Sequence, residues 1–191
     1  MKKVTRNQPK KLVKEKLPFT AEDLRKLPAD KLKQVLSKLS SKQAKDLKSN
    51  WEFWARPQQL EPDGKDWNVW FINAGRGFGK TRAGVEWVRS QVKRGHRRIA
   101  AVASTNSDIE RVMVMGESGF MACCYDTDKT ERGVHLGYPV WSPTKRSLTW
   151  ANGAKVEFYS AEEPERLRGP QFSSAWCDEL AAWNKDIDTW D

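Results

Sequence analysis

The apolar residues of this chain follow two different spacings, and the change of spacing divides the sequence in two. Between residues 20 and 54 they recur every three or four positions, as in Leu32, Val35 and Leu39, which is typical of amphipathic helices. From residue 69 onward, short apolar runs alternate with amphipathic segments, which favours alternating strands and helices. This order predicts an α/β fold with a parallel sheet, preceded by a short helical leader.

The leader contains several signals for the ends of helices. Residues 20–23 (TAED) have the spacing of a capping box, and Pro28 ends the helix that they begin. Ser40 or Ser41 can cap a third helix that runs towards Trp54. We expect three short helices, each with one apolar stripe that packs on the following domain or on another subunit.

The second part of the chain carries five segments that predict strands and two that predict helices. The dipeptide Asn152-Gly153 between two of the strands is a strong hairpin signal. Residues 85–92 and 108–115 have helical patterns, whereas residues 116–145 indicate a loop. The predicted strands are residues 69–72, 99–103, 147–150, 155–159 and 172–177.

A glycine-rich stretch followed by Lys80 and Thr81 lies between the first predicted strand and the first predicted helix. Glycines let backbone N–H groups close around phosphate oxygens, and the following helix adds the positive end of its dipole. Lys80 would reach the β- and γ-phosphates of a nucleotide, and the Thr81 hydroxyl would join a Mg²⁺ shell. The pattern departs from the general phosphate-binding sequence because Ala74 replaces its first glycine, although Gly75 and Gly77 keep the backbone free.

The adjacent carboxylates Asp178 and Glu179, which end the last predicted strand, are a second chemical signal. In a phosphate-loop ATPase the first of two such acids holds Mg²⁺ through its water shell, and the second orients and deprotonates the attacking water. An acidic pair at a strand end is common by itself. Placed after a phosphate-binding loop, it favours a Mg-dependent ATP hydrolase.

The positive charge of the chain is concentrated in its N-terminal part. Residues 1–48 contain 15 lysines and arginines against 5 acids, whereas residues 49–191 contain 19 against 20. A basic arm can bind nucleic acid through its phosphates, or it can simply be a solvated face. The sequence carries no signal-peptide pattern and no apolar run of membrane-spanning length, and its three cysteines lack ligand spacing, so we expect a reduced cytosolic protein without a membrane partner.

These motifs and their surroundings resemble the ATPase half of a tailed-phage terminase large subunit. The resemblance implies a P-loop NTPase fold of the additional-strand type, and an ATP-driven motor that moves double-stranded DNA into a preformed capsid. It further implies a homo-oligomeric ring in the cytoplasm of the bacterial host, with a small terminase subunit and the portal protein of the procapsid as partners. The matching stretches are WEFWARPQQL, WFINAGRGFGKTRAGVEWV, ANGAKVEFYSAEEPERLRGPQF and SSAWCDELAAW.

The resemblance also implies roles for single residues. Gln59 matches the family's adenine-contacting glutamine, and Arg76 matches an arginine that senses or stabilises the γ-phosphate. Glu179 and Arg76 are thus the expected catalytic residues, with Mg²⁺ held by Thr81 and, through water, by Asp178. The expected ATP-binding residues are Gln59, Gly75, Arg76, Gly77, Phe78, Gly79, Lys80 and Thr81.

We expect a disordered basic tail over residues 1–18, a helical leader over 19–50 and a P-loop ATPase domain over 51–191. In similar proteins the chain continues to a further strand, between the phosphate-loop strand and the acidic-pair strand, and to a nuclease domain. The polypeptide is therefore expected to be truncated, with two strands that lack a neighbour. Two other interpretations remain open: a helicase-like ATPase acting on nucleic acid, and a non-catalytic fragment whose basic leader docks a small terminase subunit or DNA.

Overall fold

The computed structural model describes residues 19–64 and 66–183. The tail predicted for residues 1–18 lies outside the described residues, as do residues 184–191. The helices are α1 (Ala21–Arg25), α2 (Ala29–Ser37), α3 (Ser41–Ser49), α4 (Trp51–Trp54), α5 (Lys80–Arg94), α6 (Asn106–Asp108, continued by π-helical Ile109–Val114) and α7 (Phe120–Cys123). The strands are β1 (Arg98–Ala103), β2 (Val140–Ser142), β3 (Ser147–Thr149), β4 (Lys155–Ser160) and β5 (Ser174–Cys177).

The five strands form one mixed sheet in the order β2-β3-β4-β1-β5. β1 pairs in parallel with β4 and β5, whereas β2 with β3 and β3 with β4 pair antiparallel. The predicted α/β class is confirmed, but the prediction of a parallel sheet is wrong for half of the sheet. The reason is the hairpin between β3 and β4, since the turn at Gly153, with a φ of 80°, reverses the chain within a few residues.

The apolar segment at residues 69–72 forms no strand, so that prediction is wrong. Val69 and Phe71 are 61% and 69% exposed, and the segment pairs with none of the five described strands. A short apolar run becomes a strand only where a neighbouring edge accepts its backbone hydrogen bonds. β5 ends the sheet order, so its outer edge is likewise unpaired within the described residues.

The segment before the sheet consists of short helices whose caps agree in part with the sequence. Residues 20–23 form the predicted capping box, and Ser40, rather than Ser41, caps α3. Asn50 caps a separate helix, α4, so α3 does not continue to Trp54 as predicted. None of α1, α2 and α3 contains a buried residue. No helix within residues 19–64 and 66–183 is long and apolar enough to cross a membrane.

α5 packs along the sheet and supplies much of the main core. Its valines at helical spacing, Val85, Val88 and Val92, are buried in one cluster with Ile99 of β1 and Phe120 of α7. The helix predicted over residues 85–92 is confirmed and extends further in both directions. The Phe120 ring makes edge-to-face contacts with Trp150, Phe158 and Trp176.

The region that reads as a loop in the sequence, residues 116–145, contains α7 and β2. Both elements were missed because they have four and three residues, too few to show a period. The preceding helix begins earlier than predicted, since the Thr105 hydroxyl accepts a hydrogen bond from the Asp108 N–H at 3.2 Å. This capping box starts α6 at the carboxyl end of β1.

Candidate nucleotide-binding site

The glycine-rich stretch, residues 75–79, leads directly into the first turn of α5. Gly77 and Gly79 have φ angles of 79° and 85°, in the left-handed region that favours glycine. Gly79 precedes the helix, so the unsatisfied N–H groups of the first helical turn face the loop. Lys80 and Thr81 are the first two residues of α5, as a phosphate-binding turn requires.

The Lys80 side chain turns back over the loop. Its Nζ donates to the carbonyl oxygen of Ala74 at 2.9 Å and to that of Gly75 at 3.3 Å. The ammonium group therefore lies beside the helix N-terminus, and both features favour an anion at this place.

The glycine loop and the acidic strand end, far apart in sequence, meet at Thr81 and Asp178. The Thr81 hydroxyl donates to Asp178 Oδ2 at 3.1 Å. Thr81 is fixed by the first turn of α5, and Asp178 by the end of β5, where its N–H donates to the Val102 carbonyl of β1 at 2.9 Å. Regular structure on both sides thus holds the two oxygen donors in place.

Asp178 is 8% exposed, so its carboxylate is largely removed from water. Burial raises the pKa of its carboxyl group, the hydrogen bond from Thr81 opposes that rise, and neighbouring Glu179 adds to it. A carboxylate in this environment gains more from a nearby cation than a solvated one does, because its water has been removed.

The oxygen donors at this place suit Mg²⁺. This ion usually takes one or two carboxylates and completes its shell with water and phosphate oxygens. Thr81 and Asp178 supply a hydroxyl and a carboxylate of that kind. In the described part of the chain no three His, Cys, Asp or Glu side chains are grouped to hold a metal. Two protein donors leave the other positions of a Mg²⁺ shell to water or phosphate oxygens.

Glu179 is exposed and has an unusual backbone, with φ and ψ both 49°. A left-handed conformation is rare for a glutamate and persists only where its surroundings impose it. The Trp183 indole N–H donates to the Asp178 carbonyl at 3.0 Å, and the Ser104 hydroxyl donates to the Ala182 carbonyl at 3.0 Å. These two bonds brace the turn that carries Glu179.

The Gln59 side chain contacts the glycine-rich loop, whereas the Arg76 side chain, which belongs to the loop, makes no polar contact within the described residues. Gln59 is buried, and its Nε2 donates to the Phe78 carbonyl at 2.8 Å. Phe78 is half-buried, with the Arg56 guanidinium 4.9 Å above its ring. Arg76 is exposed and makes no hydrogen bond or ion pair with the described residues. The guanidinium of Arg76 is therefore uncommitted.

Sequence reasoning missed a buried ion network on α5. Arg89 donates to both carboxylate oxygens of Asp128 at 2.7 Å and pairs with Glu86, while Lys93 Nζ lies 2.8 Å from Asp128. Burial disfavours these charges, but Glu86 and Asp128 outweigh it and raise the pKa of Arg89. Burial likewise opposes ionisation of Asp128, but Arg89 and Lys93 outweigh it and lower the pKa of that carboxyl. The sequence does place Arg89 on the same face of α5 as the buried valines, which indicates a buried charge that needs a partner. That partner, Asp128, lies in a segment whose sequence shows no pattern.

An α/β protein with a glycine loop at a helix start, facing an acidic strand end, is compatible with an NTPase-like fold. Residues 71–191 match the family described as terminase large subunit, T4likevirus-type, N-terminal. Because the match covers more than half of the chain, the protein belongs to this family, which confirms the resemblance seen in the sequence. Membership indicates a role in phage DNA packaging. Neither a curated protein nor a solved structure matches the chain.

Proposed function

We propose that this chain is the ATPase motor portion of a phage terminase large subunit, which hydrolyses Mg-ATP to drive double-stranded DNA into the capsid. The observation that carries the proposal is the 3.1 Å hydrogen bond between Thr81 and Asp178. It joins the start of the helix after the glycine loop to the acidic end of β5, the two places from which Mg²⁺ is held in a P-loop ATPase. A glycine turn of purely structural use would need no buried carboxylate there.

The glycine-rich loop and the first turn of α5 would bind the triphosphate. Backbone N–H groups of residues 75–79 would donate to phosphate oxygens, and Lys80 would exchange its two carbonyl partners for β- and γ-phosphate oxygens. Thr81 would hold Mg²⁺ directly and Asp178 would hold it through water. When bound, Mg²⁺ neutralises charge on the phosphates during transfer of the γ-phosphoryl group.

Glu179 and Arg76 would catalyse hydrolysis. Glu179 adjoins the proposed metal ligand Asp178 and is exposed, so its carboxylate can orient a water and accept its proton. Arg76 supplies an uncommitted guanidinium, whose paired donors suit the γ-phosphate oxygens as charge develops on them.

The proposal extends to the organisation of the protein. It assigns residues 1–18 to a basic tail, 19–50 to a leader and 51–191 to an ATPase domain of the additional-strand P-loop type. The motor would act as a homo-oligomeric ring in the cytoplasm of the bacterial host, with the small terminase subunit and the portal protein as partners. Membership of the terminase family supports this setting.

One observation favours a second role for the leader, contact with DNA. Lys42, Lys45 and Lys48 recur every three residues on α3, which places them on one helical face, and all three are exposed. None of them pairs with an acid in the described part of the chain. A row of unpaired ammonium groups is complementary to a phosphate backbone.

Mg-ATP binding and hydrolysis by the purified chain test the main proposal. We expect Lys80→Ala to lose nucleotide binding, and Glu179→Gln to keep binding while turnover falls by about 100-fold or more. Glu117→Gln, which changes an exposed glutamate outside both motifs, is the matched control and should behave as wild type. Retained turnover in Glu179→Gln would overturn the assigned base, and failure of the wild-type chain to bind Mg-ATP would overturn the site.

A further inference from the structure

The Gln59 side-chain amide makes one hydrogen bond with the protein at each end. Its Nε2 donates to the Phe78 carbonyl at 2.8 Å, and its Oε1 accepts from the Arg56 backbone N–H at 3.0 Å. One partner can only accept and the other can only donate, so the orientation of the amide is fixed. Gln59 as a residue is 7% exposed, so little of it faces solvent.

The glycine loop packs directly against this amide. A Cβ atom at position 79 would lie 2.7 Å from Gln59 Nε2, so only glycine permits the approach. The Arg56 guanidinium also donates to the Phe78 carbonyl, and it lies over the Phe78 ring. Two donors from the segment before the loop therefore hold one carbonyl oxygen of the loop.

Holding the Phe78 carbonyl fixes the direction of the next N–H group. The peptide unit between Phe78 and Gly79 is planar and trans, so its C=O and N–H point in opposite directions. The Gly79 N–H bonds no acceptor among the described residues, which leaves it available to an anion. Gln59, together with Arg56, thus helps to set where the Gly79 N–H points.

We propose that Gln59 is a positioning residue that sets the phosphate loop through the Phe78 carbonyl, and that its effect on nucleotide binding is independent of the base. This inference rests on the proposed nucleotide site and specifies how that site is held in shape. It differs from the role implied by the sequence resemblance, in which the glutamine contacts adenine. A residue that reads adenine affects ATP only, whereas one that sets the loop affects every ligand bearing a triphosphate.

The test compares dissociation constants of Mg-ATP, Mg-GTP and inorganic triphosphate with Mg²⁺, measured by calorimetry on the full chain. Gln59→Ala removes the amide, and Gln59→Glu keeps the acceptor for Arg56 but removes the donor to Phe78. Gln58 is an exposed neighbour, so Gln58→Ala and Gln58→Glu are the matched controls, the second of which reports the effect of added charge alone. Circular dichroism and a cooperative melt verify that each variant is folded.

We expect Gln59→Ala to weaken all three ligands by a similar factor, roughly tenfold, with an unchanged ratio of ATP to GTP affinity. Gln59→Glu should weaken them more than Gln58→Glu does. Loss of ATP affinity with unchanged triphosphate affinity would overturn the inference and favour contact with adenine. Equal affinities in Gln59→Ala and Gln58→Ala would also overturn it, because Gln59 would then have no role in binding any of the ligands. If the wild-type chain binds none of the three ligands, the proposed site itself fails, and this result is distinct from the other two.

Discussion

Gly84 of α5 lies directly against the indole of Trp176 in β5, so closely that a Cβ atom at position 84 would overlap the Cε2 and Nε1 atoms of the ring. The two residues belong to the elements that carry the proposed metal ligands, since Thr81 precedes Gly84 by one helical turn and Asp178 follows Trp176 by two positions. The absence of a side chain at position 84 therefore sets the distance between α5 and β5. The Thr81–Asp178 hydrogen bond depends on that distance.

Gly84→Ala is expected to destabilise the protein and to weaken Mg-nucleotide binding. Alanine is favoured over glycine within a helix by about 1 kcal/mol, but overpacking a core contact costs about 1–3 kcal/mol. The added methyl group would clash with a buried ring that cannot move aside freely, so the cost of overpacking should exceed the gain in helix propensity. Chemical denaturation gives the change in the free energy of unfolding, and calorimetry gives the change in affinity.

Trp176→Phe provides the control for this prediction because it shortens the ring at the point of overlap. Gly84→Ala should cost less stability in the Trp176→Phe background than in the wild type, which a double-mutant cycle measures. Additive effects of the two substitutions would contradict the proposed contact.

The parts of the site that the sequence predicts are those encoded in short local patterns. The glycine stretch before Lys80 and Thr81 predicts a turn into a helix, because glycine and the helix N-terminus act within a few residues. The dipeptide Asn152-Gly153 similarly predicts the hairpin of β3 and β4. Such features need no distant partner, and the structure has both.

The features that the sequence does not predict depend on contacts between distant segments. Residues 69–72 have the composition of a strand. Whether they form one depends on an edge strand with which their backbone can pair, and their own sequence does not specify such a partner. Asp128 lies in a stretch without periodicity, and only the fold brings it to Arg89. The hydrogen bond from Gln59 to the Phe78 carbonyl cannot be predicted from the sequence either, because a glutamine in a loop is usually expected to face solvent.

Asp128→Asn should destabilise the protein by about 3 kcal/mol at neutral pH, because it leaves Arg89 buried with one partner fewer. The folded-state pKa of Asp128 lies below the ordinary value of 3.8, so its stabilisation is complete above that value and is lost as the pH falls through the folded-state pKa. The difference in unfolding free energy between wild type and variant should therefore narrow below about pH 4. Denaturation at a series of pH values measures it.

Asp126→Asn is the matched control for this pH dependence, since Asp126 is exposed two residues away. It should change the unfolding free energy by less than about 0.5 kcal/mol. A difference between wild type and Asp128→Asn that stays constant down to pH 2 would contradict the assignment.

Trp183→Phe should lower ATP turnover several-fold while leaving nucleotide affinity unchanged. The substitution keeps an apolar ring against Val102 and Ala161 but removes the N–H that holds the Asp178 carbonyl. The left-handed backbone of Glu179 then loses one of its supports, and its carboxylate is less well oriented. Steady-state kinetics and calorimetry separate turnover from binding.

Trp141→Phe is a suitable comparison, because the Trp141 indole N–H is buried and has no partner among the described residues. It should leave turnover unchanged. If both tryptophan variants lose turnover equally, the effect lies in general packing and not in the position of Glu179.

Replacing Lys42, Lys45 and Lys48 together by glutamine should weaken binding of double-stranded DNA and reduce its salt dependence. Each lysine that contacts a phosphate contributes about 0.9 to the slope of log K against log salt, so the slope should fall by up to about 2.7 if all three make such contacts.

A control with the same change in net charge replaces Lys26, Lys129 and Lys145, which do not share a helical face. An equal loss of slope in both triple variants would mean that net charge alone attracts DNA, whereas a loss confined to the first would assign the contact to α3. ATP binding should be the same in both variants, because none of the six lysines belongs to the proposed nucleotide site.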